Sequence, residues 1–528
     1  MAKSFTQNMS WLHTWSGLFF GWLLVPIFIT GSICVYWFEI SVWARPENHV
    51  MREAEPAALV EFSEAYLKKT APDSRFWKIG LPATNARDPI LYLSWMDKQG
   101  KLARAQFNAD GSGDPIRTDT IGGRFFVNFH YILNDLPRQK NSIGLLLVGA
   151  ASIVFLAGVI SGVVVHKRIF KDFFTFRPQA KSRQRTWLDA HNVLSVLPLP
   201  FHFLIVLTGM AYLCYAYIPS GIATLYKGSE PAFRVSADFS QDSELVDPAK
   251  ATPGPIAPNL ALALLHDRAV AGELRPEVMG YIVVRDPGRA NAVVEMFGAH
   301  RQGIFITNSP RVAFDGVSGR VIRAMHARPP ISETWDVIAG LHMAFFGGGL
   351  MRLLYLVSGV AGAVMMATGQ LLFTIKRREQ AVSPAAERFY AIVDRINVAT
   401  MAGACFACIA HLWAIRLLPF EMAGRAAWEV NVFWFAWALA FLHAALRPPK
   451  AAWVEQLAAT AVLCVFLPVL GYLVPNSGLL DMIARGDWKT AGVDLASLGC
   501  GLFIGWMALL LSGERLPRAA RKSSLVGA

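Results

Sequence analysis

The sequence predicts a polytopic α-helical membrane protein with about eight transmembrane helices. Two α+β domains are inserted, between helices 1 and 2 and between helices 3 and 4. Three observations predict this class. Hydrophobic residues make up 54% of the 528 and charged residues only 17%, and the apolar ones come in blocks long enough to cross a hydrocarbon core about 30 Å thick as helices. Basic residues crowd the short stretches between blocks, as at Lys167, Arg168, Lys171, Arg177, Lys181, Arg183 and Arg185, or at Lys376, Arg377 and Arg378. This positive-inside bias places those loops and both termini in the cytoplasm. Finally, two blocks share a pattern: Thr30-Gly31 follows His13 as Thr208-Gly209 follows His191 (30 − 13 and 208 − 191, both 17).

In chain order, residues 1–40 hold the first span, which lacks a small-residue cleavage site after its apolar core and so reads as an anchor. Residues 41–125 form the first outer segment. There Pro56 to Lys69 has helical periodicity, and Ile90 to Trp95 and Ala103 to Asn108 read as strands around a Lys98-Gln99-Gly100-Lys101 turn. Within 126–218, an amphipathic piece from Phe126 carries His130 and stops at Pro137. Spans follow at about Ile143 to Val165 and Leu188 to Ile218, the second bent by Pro198 and Pro200.

Residues 219–335 form the second, larger outer segment. It is helical over Leu260 to Arg268, with strands at Tyr281 to Val284, Ala292 to Phe297, Gly303 to Thr307 and Val312 to Phe314, then a turn from Phe314 into a further strand. Residues 336–380 repeat the earlier plan, with His342 in a short piece before the fourth span. Residues 385–528 hold four more spans, near 392–418, 427–446, 453–474 and 490–512, which resemble neither half.

The net charge of +12 sits in these short loops, which argues against nucleic acid as a partner. All six cysteines lie in apolar runs, so the outer segments have no disulfide framework. Cys405-Phe406-Ala407-Cys408 lacks the following histidine of a c-type haem attachment site. No GxGxxG follows a strand, and there is no P-loop and no cytoplasmic domain large enough for a flavin or nicotinamide site, so redox chemistry here needs an outside electron donor.

The twelve histidines sort by position. His49, His266, His300 and His326 lie in the outer segments, and His411 and His443 in the last spans without a repeat partner; all six read as ordinary packing or surface residues. His13, His166 and His191 cluster at the cytoplasmic ends of spans one to three, while His130 and His342 occupy matched places at the outer entrance of spans two and four. His202 follows His191 by 11 residues, close to three helical turns and about 16 Å.

Ionisable side chains at membrane depth are costly enough to mark function. Imidazoles at two depths, paired from different helices, fit bis-histidine ligation of b-type haem, one haem near each face. By depth, His130 and His342 pair at the outer tier. The inner tier takes two of His13, His166 and His191, with His13 and His191 favoured by the repeat and His166 as the rival. His202 serves as a mid-depth ligand or haem contact. Arg124, Arg138 and Arg352 lie near the outer tier, where they suit haem propionates or interfacial anchoring alike. Two other uses stay open: a permease for iron complexes, or one coupled to protons, without haem, and a regulatory or scaffold protein whose histidines hold nothing.

At His13 with Thr30-Gly31, His130, His191 with Thr208-Gly209, and Leu341-His342 before Gly347-Gly348, the chain resembles the PepSY-associated transmembrane family, and within it bacterial inner-membrane ferric-siderophore reductases. The resemblance covers residues 1 to about 380, including outer segments whose hairpin and Asp315-to-Gly319 turn resemble a PepSY module. It implies PepSY-like periplasmic domains and a multi-pass protein of the bacterial inner membrane. It also implies two haem b groups, a periplasmic ferric siderophore or other ferric chelate as substrate, and electrons from a quinol or a cytoplasmic reductase. Reducing Fe(III) to Fe(II) weakens its hold by hard oxygen ligands, so one electron can release iron from a chelator.

Overall fold

Among the described residues, seven helices are long and apolar enough to cross a membrane, or eight if one sharply bent pair counts as a span. The chain is therefore a multi-pass membrane protein. The structure is a computed structural model describing residues 4–45, 55–82, 90–108, 111, 119–135, 142–166, 183–212, 214, 254–273, 279–298, 311–325, 330–344, 346–378, 382–474 and 477–513. The expected strand at Gly303 to Thr307, most of the basic loop after His166, Arg138, His49, His300 and His326 lie outside these residues. The chain divides into two compact units, residues 1–369 with 419–426, and residues 370–418 with 427–528.

In the first unit, α1 (Phe5–Cys34) is followed by the short α2 (Trp37–Trp43), and α4 (Arg124–Ile132) precedes the span α5 (Ile143–Val165). The amphipathic α4 buries Phe125, Phe126 and Phe129 and packs against α1, α2 and α5. Contact with α2 is close enough that a Cβ at Gly123 would meet the Trp37 carbonyl oxygen at 2.0 Å, so only glycine fits. The second half repeats the arrangement. Helices α6 (Arg183–Val196) and α7 (Leu199–Tyr212) correspond to α1, α9 (Pro330–Met343) to α4, and α10 (Gly348–Arg378) to α5. The expected bend falls where Pro198 interrupts the hydrogen-bond ladder, and α6 meets α7 at 59°.

The two inserted segments, read as separate domains, share a single antiparallel sheet in the order β3-β2-β1-β4-β5-β6-β7. Strands β1 (Phe76–Gly80), β2 (Ile90–Met96) and β3 (Leu102–Asn108) come from the first segment. Strands β4 (Met279–Arg285), β5 (Val293–Gly298), β6 (Arg311–Asp315) and β7 (Val321–Met325) come from the second. The seam is β1 on β4, from Phe76 opposite Arg285 to Gly80 opposite Tyr281, and beside it Arg75 donates to both carboxylate oxygens of Asp286 at 2.8 and 3.3 Å. One face of the sheet carries Trp77, Ile79, Leu91, Leu93, Phe107, Ile282, Val284, Val294, Met296, Val312 and Phe314 into a core with α3 (Pro56–Thr70) and α8 (Leu262–Arg268). Burying each large side chain there contributes about 2 kcal/mol. Glu64 of α3, itself buried, accepts from the Leu262 N–H at 2.8 Å, so a carboxylate from one segment caps a helix of the other.

The second unit consists of long helices: the end of α10, α11 (Pro384–Leu417), α12 (Arg425–Leu446, from Ala427), α13 (Pro449–Leu470) and α15 (Trp488–Gly513), with α14 (Leu479–Ala484) between the last two. Small side chains let these helices approach closely, as at Ala399, Ala444 and Ala452. Trp437 donates to the Ala399 carbonyl at 2.9 Å, Gln456 to Ala440 at 2.8 Å and Ser497 to Cys464 at 2.9 Å. His411 and His443 have structural partners here, the Glu429 carbonyl at 3.1 Å and the Glu455 carboxylate at 2.8 Å.

Candidate functional site: two facing histidine pairs

Four histidines from four helices meet in two pairs. His130 of α4 and His342 of α9 have ring centroids 6.1 Å apart, and His13 of α1 and His191 of α6 have theirs 6.3 Å apart. Two imidazoles ligating one metal from opposite sides, with bonds of roughly 2 Å, would have centroids roughly 6 Å apart, since each centroid lies about 1 Å behind its ligating nitrogen. Both pairs have that spacing.

Each ring is seated by the same device on a neighbouring helix. Nδ1–H donates to a backbone carbonyl: His13 to Gly158 at 2.9 Å, His130 to Ile27 at 3.0 Å, His191 to Met365 at 2.9 Å and His342 to Ile205 at 2.9 Å. Four residues after every one of those carbonyls stands a glycine: Gly162, Gly31, Gly369 and Gly209. An added Cβ would meet His130 at Gly31 and His342 at Gly209 at 2.6 Å, and His191 at Gly369 and His13 at Gly162 at 3.0 and 3.1 Å. The imidazole lies in the groove the missing side chain leaves.

A hydroxyl residue precedes each glycine. Ser161 Oγ is 3.4 Å from His13 Nδ1, while Thr368 and Thr208 Oγ1 are each 3.3 Å from His191 and His342 Nδ1. Thr30 instead turns its hydroxyl back on Pro26 and Ile27.

This seating sets the chemistry. A carbonyl can only accept, so Nδ1 carries the proton and, in the neutral ring, Nε2 keeps its lone pair for a metal. The donor bond also fixes the ring plane. All four rings are half-buried. Along α1, His13 and Ile27, the carbonyl that holds His130, are 14 residues apart (27 − 13), or about 21 Å. The two pairs therefore stand at distinct depths.

The remaining expected residues fall elsewhere. His202 joins neither pair: its Nε2 donates to the Ser358 carbonyl at 3.1 Å, and it is enclosed by Phe28, Phe155 and Phe201. Only 1% of it is exposed. Its committed Nε2 and packed surroundings fit an aromatic contact between the tiers better than a ligand. His166, at the end of α5, lies near enough to His191 for their charges to interact, yet makes no ring contact with either member of the inner pair.

Arg352 pairs with Glu39 at 2.7 Å, donates to the Val35 carbonyl at 2.8 and 3.2 Å, and lies over the Tyr36 ring. Arg124 stacks on Trp37. Both arginines are thus tied to the ends of α1 and α2, which favours anchoring over the propionate role.

Residues that sequence reasoning missed are Ser161-Gly162 and Thr368-Gly369, together with Tyr355, whose hydroxyl donates to the Leu341 carbonyl beside His342. The backbone is strained within three residues of His130 and His342, with left-handed φ of 53° at Leu133 and 54° at Ala344.

The family model of the PepSY-associated TM region matches residues 10–377. The chain belongs to the PepSY-associated TM family. The match takes in both histidine pairs and all four of their glycine seats, both inserted segments and the first four spans, in keeping with the extent expected from sequence. The helices of the second unit beyond Arg377 lie outside the family region. Among curated proteins, none matches the chain.

Proposed function

We propose that this member of the family is an oxidoreductase of the bacterial inner membrane that holds two b-type haems and delivers electrons to a ferric siderophore or similar ferric chelate on the periplasmic side. The observation that carries the proposal is the two imidazole couples, each at a centroid spacing that one shared metal would span and each with Nε2 left for it. Haem, if bound there, would supply one-electron chemistry.

His130 with His342 would hold the outer group, and His13 with His191 the inner one. Their carbonyl partners keep the ligating nitrogens unprotonated, and the glycines admit the rings between helices. In the overall reaction a separate donor, a quinol or a cytoplasmic reductase, loses an electron, and the ferric chelate gains it. Iron then leaves as Fe(II), which hard oxygen ligands hold less well. The basic loops support a cytoplasmic placement of both termini.

Oxidised and dithionite-reduced spectra of detergent-purified protein, with haem counted per chain, test the proposal. Two haems per chain are expected. Removing His130 or His342 is expected to halve the count, as is removing His13 or His191, while His166→Ala keeps both. Colourless protein from haem-sufficient cells would sink the proposal.

A further inference from the structure

The face of the seven-stranded sheet opposite the α3–α8 core carries two rows of side chains set by the register. One row reads Gln106, Tyr92, Gly80, Tyr281, Phe297, Arg311 across β3 to β6, and the next reads Arg104, Ser94, Lys78, Val283, Glu295, Ala313, Arg323 across β3 to β7. In the first row Tyr281 and Phe297 stack with centroids 4.2 Å apart and planes 14° from parallel. The Lys78 ammonium lies 4.7 Å over the Tyr281 ring, and the Arg311 guanidinium 5.9 Å over Phe297. Gly80 separates Tyr92 from Tyr281, which stand two strand spacings apart, roughly 9–10 Å.

In the second row Lys78 and Arg104 are both exposed and flank Ser94. Glu295, the acid of that row, already bridges to Arg285 at 3.0 Å. Partial burial, and then the charge of Arg104, hold the Lys78 ammonium below the ordinary lysine range. Two like charges two strand spacings apart on one face repel weakly, and an anion lying between them is attracted to both.

We infer that this face, centred on Lys78, Arg104, Tyr92 and Tyr281, captures an anionic chelate with aromatic donor arms, of the tris-catecholate type. The ammonium and guanidinium meet its net negative charge, Tyr92 stacks on one of its rings, and Tyr281, already stacked on Phe297 and lying under Lys78, holds the ammonium in place. The inference rests on the proposed ferric-chelate reduction, whose substrate class it names, and the excess of cations also steers such an anion to the domain.

The redox-inert gallium(III) tris-catecholate complex is the probe, titrated calorimetrically into the full detergent-solubilised chain. Binding is expected in the wild type, to weaken with rising salt, to fall at least tenfold in Lys78→Glu/Arg104→Glu, and to persist in Lys78→Arg/Arg104→Lys. A neutral gallium trihydroxamate is expected to bind more weakly and to be indifferent to the charge reversal.

No wild-type binding, or unchanged affinity in the reversed variant, overturns the inference. So does displacement of the complex by phosphatidylglycerol vesicles, which would make the face a lipid-headgroup site. If the reversed variant does not fold, the salt dependence of the wild type decides, and its absence overturns the inference. Haem spectra of the same samples report separately on the reductase reading, since binding needs no haem and haem needs no binding.

Discussion

At the scale of single residues, each of the four paired histidines is seated where a different helix offers it a glycine. The repeat of histidine and Thr-Gly at equal spacing was legible in the sequence, but its meaning was not. Thr30-Gly31 seats His130 rather than His13, and Thr208-Gly209 seats His342 rather than His191. Spacing within one helix cannot reveal a partner from another, so Ser161-Gly162 and Thr368-Gly369 passed unnoticed. The signal that could have found them is the hydroxyl–glycine step itself, recurring in the spans that lack the leading histidine.

A graded prediction follows from the contact distances. Gly209→Ala places a methyl 2.6 Å from His342 Cε1, where the ring must move. It is expected to lower haem content to about one per chain. Gly162→Ala, at 3.1 Å from His13, calls for a shift of a few tenths of an ångström and is expected to retain most of the inner haem. Haem per chain, read by pyridine haemochromogen absorbance, checks both.

At the scale of elements, the long helices and the proline bend could be read from apolar length and from Pro198, whereas β1 could not. Phe76 to Gly80 offers only Trp77 and Ile79 in alternation before Leu81-Pro82, and its partner β4 lies some 200 residues on in sequence. A five-residue strand whose nearer partner, β2, follows no tight turn signal, and whose other partner is so distant, gives no pattern to find.

The junction of α1 with α2 depends on an ion pair, Arg352 with Glu39, whose side chains are 13% and 11% exposed. Glu39→Gln leaves a guanidinium half-satisfied in a largely dry site. It is expected to cost about 3 kcal/mol, seen as a lower thermal midpoint in detergent.

The turn between β6 and β7 depends on Asp315, which accepts from the Ser318 N–H and hydroxyl and the Val317 N–H. Those bonds hold its carboxyl below the usual carboxylate range. A depressed carboxyl contributes its stability in full above the unfolded value of about 4 and loses it as pH falls through the folded one. Thermal midpoints are therefore expected to drop on acidification in the wild type, and to drop less in Asp315→Asn. Equal slopes would contradict that role.

At the scale of the whole molecule, the expectation of two halves with one plan survives in the helices, while the outer segments merge in a way composition could not announce. All four seated histidines and their glycines fall in the first unit, and the family region stops within α10. A chain ending after residue 382 is accordingly expected to keep both haem signals, and loss of either in that shortened chain would assign the later helices a part in holding the cofactors. The seam between β1 and β4 also constrains how the protein is made. Until the third span and the second inserted segment have been made, β1 is an edge strand with one side of its backbone unpaired, open to mispairing with another chain. The sheet is thus completed by a contact of very long sequence separation, which places its closure late in biogenesis and makes that interval the point at which the unfinished half-sheet most needs protection from mispairing.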